Sequence, residues 1–222
     1  MIPSRRMPKP FKLKPKLLFT SIALCILTGC SGPYSTVRML GPLVPHGVRE
    51  GYQVREWIIE HGTALSAADP RDAMNEIYLE ALTATGGDKG AANLATLIAV
   101  LEHRHIPLNL GIFTFDIPLT LESDTVFKAR VGHLPRNIYG EGHDDRDKLQ
   151  HFFANSWLKR ELGMEWLVLF LGELIELGED AMVVGGVYDD RDKVANHDGI
   201  MFSMRSGDSL QANPSHYLSR SK

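Results

Sequence analysis

One short stretch, residues 147–151, combines a carboxylate, an amine and an imidazole at helical spacing. Asp147 and His151 are four residues apart, so on a helix both side chains project from one face, one turn apart. A carboxylate and an imidazole placed in this way can share a divalent metal, or the carboxylate can orient the imidazole as a general base. We therefore treat Asp147 and His151 as candidate catalytic and metal-binding residues.

Two glutamates extend this pattern. Glu173 and Glu176 are three residues apart and follow an all-apolar run at 166–171. A helix that is apolar all round is usually buried, and carboxylates on a buried helix need partners or a cation. The sequence therefore predicts that Glu173 and Glu176 complete a site for a divalent metal with Asp147 and His151.

A third segment repeats the geometry of the first. Asp192 and Asn196 are again four residues apart, and the string Asp-Asp-Arg-Asp-Lys occurs at both 144–148 and 189–193. A carboxylate and an amide on one helical face can orient a substrate or the ligands of a metal. Asp192 and Asn196 are therefore further candidate catalytic residues.

The order of these segments is similar to a pattern in VanZ-like membrane proteins and YfiM-like envelope lipoproteins. The matching residues extend over about 55 of the 222 positions. They are Asp147, Lys148, His151, one of Glu173 or Glu176, Asp192, Asn196 and Gly199. VanZ-like proteins have several membrane spans, whereas no apolar run after the leader approaches the ~20 residues of one span. The YfiM-like architecture is therefore the closer one, and the resemblance implies the place of a site but no reaction.

Each part of the pattern also has a purely structural interpretation. Acidic residues at 144–147 can cap the first turn of a helix and complement its dipole. His151 can be a hydrogen-bonded core residue, and the carboxylates within 173–180 can form a solvated helix face. Asn196 can end a helix, with Gly199 in the left-handed cap position. The sequence alone leaves both interpretations open.

The elements that would position these residues are mainly helical. Capping residues and apolar spacing predict helices at about 70–82, 91–101, 146–162, 165–179 and 190–204. Residues 106–121 are rich in β-branched and aromatic types between prolines, which predicts a short extended or β element. Residues 127–139 are predicted to form a loop. The expected fold class is mainly α, a compact helical domain with a short β element near 106–121.

The first thirty residues resemble the leader of a bacterial lipoprotein. Six basic and no acidic residues accompany an apolar run at 17–27, which is too short to cross a bilayer of about 30 Å as a helix. The run ends in Leu27-Thr28-Gly29-Cys30, which is similar to the lipobox of these precursors. The resemblance implies cleavage before Cys30 and attachment of lipid to its sulfur. Ser31, where an Asp would signal inner-membrane retention, implies an anchor in the outer membrane, on its periplasmic face.

The leader also sets the expected domain organisation. We expect a signal peptide at 1–29, a Pro- and Gly-rich tether at 30–48, one mainly helical domain at 49–205 and a loosely held polar tail at 206–222. The domain is long enough to bury a sizeable core.

Charge and cysteine content exclude several functions. The only two cysteines are Cys25, inside the leader, and Cys30, so the mature part has no thiol for a disulfide, a metal cluster or a nucleophile. The leader removes six of the 24 basic residues and none of the 27 acidic ones, which leaves a net charge of about −9. This charge disfavours nucleic acid as a partner. Contact with the membrane is expected through the lipid anchor.

Two functions follow as expectations. The first is an outer-membrane-anchored periplasmic lipoprotein that acts by contact with another envelope protein, since no Gly-x-Ser-x-Gly elbow or phosphate-binding loop occurs. The second is a metal-assisted hydrolase or transferase on an envelope lipid or peptidoglycan substrate, built on the candidate residues above. A third interpretation makes His151 and the acidic residues a structural network that joins helices.

Overall fold

The structure is a computed structural model that describes residues 46–109, 114–118, 120, 122–163, 189–206 and 213–219. Three sequence predictions lie outside the described residues. These are the leader with Cys30, most of the tether, and the helix at 165–179 with Glu173 and Glu176.

The mainly α fold is confirmed. The described residues form seven α-helices and one 3₁₀ turn at Pro214–Tyr217. In chain order the helices are α1 Val48–Glu60, α2 Gly62–Ala67, α3 Pro70–Ala84, α4 Lys89–Val100, α5 Asp124–Gly132, α6 Arg146–Leu162 and α7 Asp190–Arg205. Within the described ranges, none of these helices has the length and apolar character needed to cross a membrane.

Local signals explain several helix boundaries. Asp69 caps α3 because its Oδ1 accepts a hydrogen bond from Arg71 N at 2.9 Å, and Pro70 occupies the first helical position. Asp88 caps α4 in the same way through Ala91 N. Gly163, with a φ of 69°, ends α6 in the left-handed conformation that glycine adopts without strain. These signals are all local, so the sequence could predict the ends they set.

A β-hairpin occupies the segment predicted to be extended. Strand β1 is His105–Asn109 and strand β2 is Thr114–Pro118. They pair antiparallel, with His105 opposite Pro118 and Asn109 opposite Thr114. Both prolines of the segment fall at strand positions, which a two-stranded hairpin tolerates because each strand has one unpaired edge.

The loop predicted at 127–139 is wrong in its first part, where α5 runs from Asp124 to Gly132. Ser123 caps this helix by accepting from Val126 N at 3.4 Å. The apolar pattern of α5 is weak because Arg130, a charged residue, takes an inward position with no exposed surface. This helix is therefore stabilised by contacts with distant residues, which the sequence pattern does not show.

Those contacts form a buried charge cluster of Arg55 on α1, Glu122 before α5 and Arg130 on α5. Arg130 donates to both carboxylate oxygens of Glu122, at 2.8 and 2.7 Å, and Arg55 Nη1 lies 3.3 Å from Glu122 Oε2. The two guanidiniums also donate to the carbonyls of Ile98 and Ala99 in the last turn of α4. One carboxylate and two guanidiniums thus join α1, α4 and α5.

The core lies between these helices and the pair α6–α7. Its centre is aromatic: Phe152 and Phe153 of α6 meet edge to face, and Tyr78 of α3 and Phe202 of α7 complete the cluster. All four side chains are buried. Offset and edge-to-face pairs of this kind add to the free energy gained by burying apolar surface.

The helices α6 and α7 cross at Gly199. A Cβ atom at this position would lie 2.1 Å from the carbonyl oxygen of Phe152, so only glycine permits the approach. The alternative of a left-handed helix cap at Gly199 is wrong, because α7 continues to Arg205. The close crossing brings the first turns of both helices together.

We expect Gly199→Ala to lower the free energy of unfolding by about 2–3 kcal/mol, since the methyl group meets backbone and the helices must separate. The melting temperature should fall by roughly 4–12 °C. Gly132→Ala is the matched control, because a Cβ at Gly132 meets nothing within 4 Å. Circular dichroism during urea and thermal unfolding measures the free energy of unfolding and the melting temperature. Equal melting temperatures of the two variants would rule out the close crossing.

The C-terminal tail is predicted to be loosely held, but residues 213–219 are hydrogen-bonded to the helical domain. Asn75 and Ser215 exchange two hydrogen bonds, of 2.8 and 3.0 Å. Ser219 donates to both oxygens of Asp198 from its backbone N and its hydroxyl, at 2.6 and 2.7 Å. The buried amide of Asn75 and the buried carboxylate of Asp198 need such partners, and the tail supplies them.

Candidate functional site

The first turns of α6 and α7 meet at the ammonium group of Lys148. Its Nζ lies 2.6 Å from Asp147 Oδ2, 2.5 Å from Asp192 Oδ1 and 3.1 Å from Asp189 Oδ2. The Lys148 side chain is only 1% exposed. Three carboxylates from two helices therefore converge on one buried cation of the chain itself, and we call these four residues the lysine cluster.

The charged groups of the lysine cluster shift one another's pKa values. Burial acts to lower the pKa of Lys148, but hydrogen bonds to Asp147 and Asp192 outweigh it, so this pKa lies above its ordinary value. Hydrogen bonds from Arg191, and then from Lys148, hold the pKa of Asp189 below its usual range. Burial raises the pKa of Asp192 despite the opposing attraction of His151 and Lys148. Lys148 therefore remains a cation throughout the neutral range.

His151 lies beside the lysine cluster, one turn further along α6. Its Nε2 is 3.4 Å from Asp192 Oδ1, and its Nδ1 is 3.2 Å from Asn196 Oδ1. Asn155 donates to that same Asn196 oxygen at 2.6 Å and to the His151 carbonyl at 2.9 Å. The imidazole is thus oriented from two sides, while 18% of its side chain stays exposed to solvent.

Arg191 adds two ion pairs beside the lysine cluster. Arg191 on α7 donates to Asp189 and, through Nη1 at 2.7 Å, to Asp145. The other oxygen of Asp145 accepts from Tyr139 N at 2.9 Å. Asp145 is the N-cap residue of α6 but makes no side-chain capping bond there. Its carboxylate instead joins the loop before α6 to the start of α7.

The structure brings together four of the predicted site residues, namely Asp147, His151, Asp192 and Asn196. The two predicted glutamates lie outside the described residues. The spacing of the candidate residues gives no chemical role to Lys148, Asp189, Arg191 or Asn155, and Lys148 is included only among the residues of the family resemblance. The repeated string was the signal that could have found the first three, because its two copies at 144–148 and 189–193 face each other across the helix pair.

The metal prediction has no direct support in the described part of the chain, where no three His, Cys, Asp or Glu side chains are placed to hold an ion. A physical reason is visible at the lysine cluster. The point where Asp147, Asp189 and Asp192 converge is taken by the Lys148 ammonium, which offsets part of their negative charge in the place a metal would occupy. A site that also uses Glu173 and Glu176 stays a prediction.

The arrangement can do two things chemically. The lysine cluster and the Arg191 pairs fix α6 against α7 through ion pairs and a charge-assisted hydrogen bond. His151, oriented by Asp192 and Asn196 and partly open to solvent, can exchange a proton with a bound molecule. No family model, curated protein or solved structure matches this chain, so its interpretation rests on these residues and contacts.

Proposed function

We propose that this chain is a lipoprotein anchored through Cys30 to the periplasmic face of the outer membrane, and that its helical domain acts by contact with another envelope protein. The anchor is supported by the leader and by Leu27-Thr28-Gly29-Cys30. The acidic mature domain further favours a protein partner over nucleic acid.

One observation favours contact over catalysis: the charged groups of the lysine cluster form ion pairs with one another. Lys148 is buried among three carboxylates and keeps its proton, so it is neither a base nor a nucleophile at neutral pH. Asp189 and Arg191 bind one another in the same way. These groups fix the α6–α7 pair and give the domain a rigid surface for a partner.

The anchor is tested by labelling the chain with a palmitate analogue in a two-membrane bacterium. We expect label in the wild-type protein, none in Cys30→Ser, and recovery of the labelled chain with outer membranes. Contact is tested by photo-crosslinking from exposed positions of the domain, which should give the same identified envelope protein repeatedly. An unlabelled wild-type chain would refute the anchor, and a chain without any reproducible crosslink would refute the contact.

A second function, a metal-assisted hydrolase or transferase on an envelope lipid or peptidoglycan substrate, is favoured by the geometry of His151. Its ring is oriented by Asp192 and Asn196, and part of it reaches solvent. An oriented, accessible imidazole next to a carboxylate is the arrangement that general bases use.

His151→Gln separates the two functions. If contact is the activity, we expect the purified lipidated protein to show no turnover of phospholipid or peptidoglycan fragments, with or without Zn²⁺, Mn²⁺ or Ca²⁺. We also expect these metals to leave its melting temperature unchanged. Turnover that disappears in a normally folded His151→Gln protein, together with stoichiometric metal in elemental analysis, would establish the hydrolase or transferase instead. His197→Gln, on the exposed side of α7, is the control.

A further inference from the structure

Three side chains of the α6–α7 pair form a series of hydrogen bonds whose directions can be assigned. Asn155 Nδ2 donates to the backbone carbonyl of His151 at 2.9 Å and to Asn196 Oδ1 at 2.6 Å. A carbonyl oxygen can only accept a hydrogen bond, so the amino end of Asn155, and not its oxygen, faces this carbonyl. The backbone of α6 therefore fixes the direction in which the Asn155 amide points.

The orientation of Asn155 then fixes the orientation of Asn196. The two hydrogens of the Asn155 amino group go to the two oxygens that it faces, so the nearest atom of Asn196 is an acceptor, its Oδ1. A reversed Asn196 would set its amino group against that of Asn155. Both amides are buried, with 4% and 6% of their residues exposed, so such a mismatch would leave buried donors without partners.

Asn196 in turn determines which nitrogen of His151 carries a proton. The ring Nδ1 lies 3.2 Å from Asn196 Oδ1, which can only accept, so Nδ1 is the donor. In a neutral imidazole the other nitrogen, Nε2, then has no proton. Nε2 lies 3.4 Å from Asp192 Oδ1, and this oxygen has the Lys148 ammonium at 2.5 Å as its cationic partner.

The orientation of Asn155 is kept although it leaves Asn155 Oδ1 unsatisfied. This oxygen is buried and has no hydrogen-bond partner in the part of the chain that the structure describes. Turning the amide over would bring the oxygen against two other acceptors, the His151 carbonyl and Asn196 Oδ1. Two repulsive contacts would then replace two hydrogen bonds, so the observed direction is the more stable one.

We propose that Asn155 is a positioning residue that acts through Asn196, keeps the proton of His151 on Nδ1 and so makes Nε2 the accepting nitrogen. Nε2 is then the atom that takes a proton from a substrate or binds a metal, a use that rests on the second proposed function. The place of the proton itself follows from the hydrogen bonds alone.

Nitrogen-15 NMR of the full lipidated protein in detergent micelles tests this proposal. Protonated and unprotonated ring nitrogens differ in chemical shift, and the reading needs no turnover. The His151→Gln protein identifies the signals of this ring among those of the nine histidines. At about pH 9, above the ordinary range of histidine, we expect a neutral ring with its proton on Nδ1.

Asn155→Ala should free the Asn196 amide to turn over, so that both neutral forms of the His151 ring become populated. Adding Asn196→Asp to Asn155→Ala should restore the wild-type form, because a carboxylate has only acceptors and holds Nδ1–H without Asn155. Gln150→Ala removes another half-buried amide from α6 and is the control, with an unchanged ring expected. Circular dichroism checks that each variant is folded.

A wild-type ring with its proton on Nε2, or with protons on both nitrogens at about pH 9, would overturn the proposal, and this reading depends on no variant. An unchanged Nδ1–H form in folded Asn155→Ala protein would overturn the role of Asn155. A lack of turnover in protein with the expected Nδ1–H form would refute the second proposed function and leave the place of the proton established.

Discussion

Replacing Lys148 by Met should lower the free energy of unfolding by about 3–5 kcal/mol at neutral pH, because it removes one member of a buried charge network and leaves the others uncompensated. Asp192 is buried and would keep its charge next to Asp147 and Asp189 without the ammonium that now lies 2.5–3.1 Å from all three. Methionine has a similar length, so the loss reflects charge more than volume. The melting temperature should fall by roughly 6–20 °C.

The pH dependence of this loss identifies its cause. Without the ammonium, the carboxylates repel one another and take up protons more readily, so the deficit of Lys148→Met should shrink as the pH falls from 7 towards 4. Urea unfolding followed by circular dichroism at several pH values measures it. Lys128→Met removes an equal charge from the exposed side of α5 and is the control. A Lys148→Met protein as stable as the Lys128→Met protein would show that the lysine cluster does not hold the helices together.

The second large effect is expected for Glu122→Gln. Glu122 is 2% exposed and receives two hydrogen bonds from Arg130, while Thr120 and Arg55 approach the same oxygen. The neutral amide would leave two buried guanidiniums facing each other, and the pKa of Arg55 is already lowered to about 10 by burial and by Arg130. We expect a loss of about 3–5 kcal/mol, the range found when a buried pair loses one partner.

The stability lost in Glu122→Gln depends on pH through the charge of the Glu122 carboxylate. Burial acts to raise the pKa of Glu122, but hydrogen bonds from Arg130 and the charge of Arg55 outweigh it, so the pKa lies below its ordinary 4.5. The stability that this carboxylate contributes is therefore complete above about pH 4.5 and is lost as the pH falls towards its folded pKa. Wild type and Glu122→Gln should converge in acid. A constant gap from pH 7 to 3, or a loss no larger than that of exposed Glu60→Gln, would contradict the role of the charge.

Helices with local signals could be predicted from the sequence. The end of α6 at Leu162 follows from Gly163 after it. The start of α3 follows from Asp69 and Pro70. In each case the information lies within one helical turn of the boundary, which is the range over which residue type alone decides structure.

Features that depend on distant residues could not be predicted in the same way. The sequence of α5 predicts a loop from Phe127 onwards because Arg130, one of the inward residues of the helix, is charged and its partner Glu122 lies outside the helix. The sequence pattern before Asp69 likewise does not predict α1 and α2. At the candidate site, spacing grouped Asp147 with His151 and Asp192 with Asn196. Spacing does not show that the Lys148 side chain lies between the two pairs, because its position follows from the crossing of α6 and α7 at Gly199.

The contacts of residues 213–219 bear on when the domain can finish folding. Ser215 completes the hydrogen bonding of Asn75, Ser219 donates two hydrogen bonds to the carboxylate of Asp198, and the ring of Tyr217 covers Phe202 at a centroid distance of 5.4 Å. A chain in which residues 213–219 have not yet docked leaves an aromatic ring and a carboxylate of the interior open to water. Residues 46–206 therefore cannot close the core by themselves, and docking of residues 213–219 is the step that completes it.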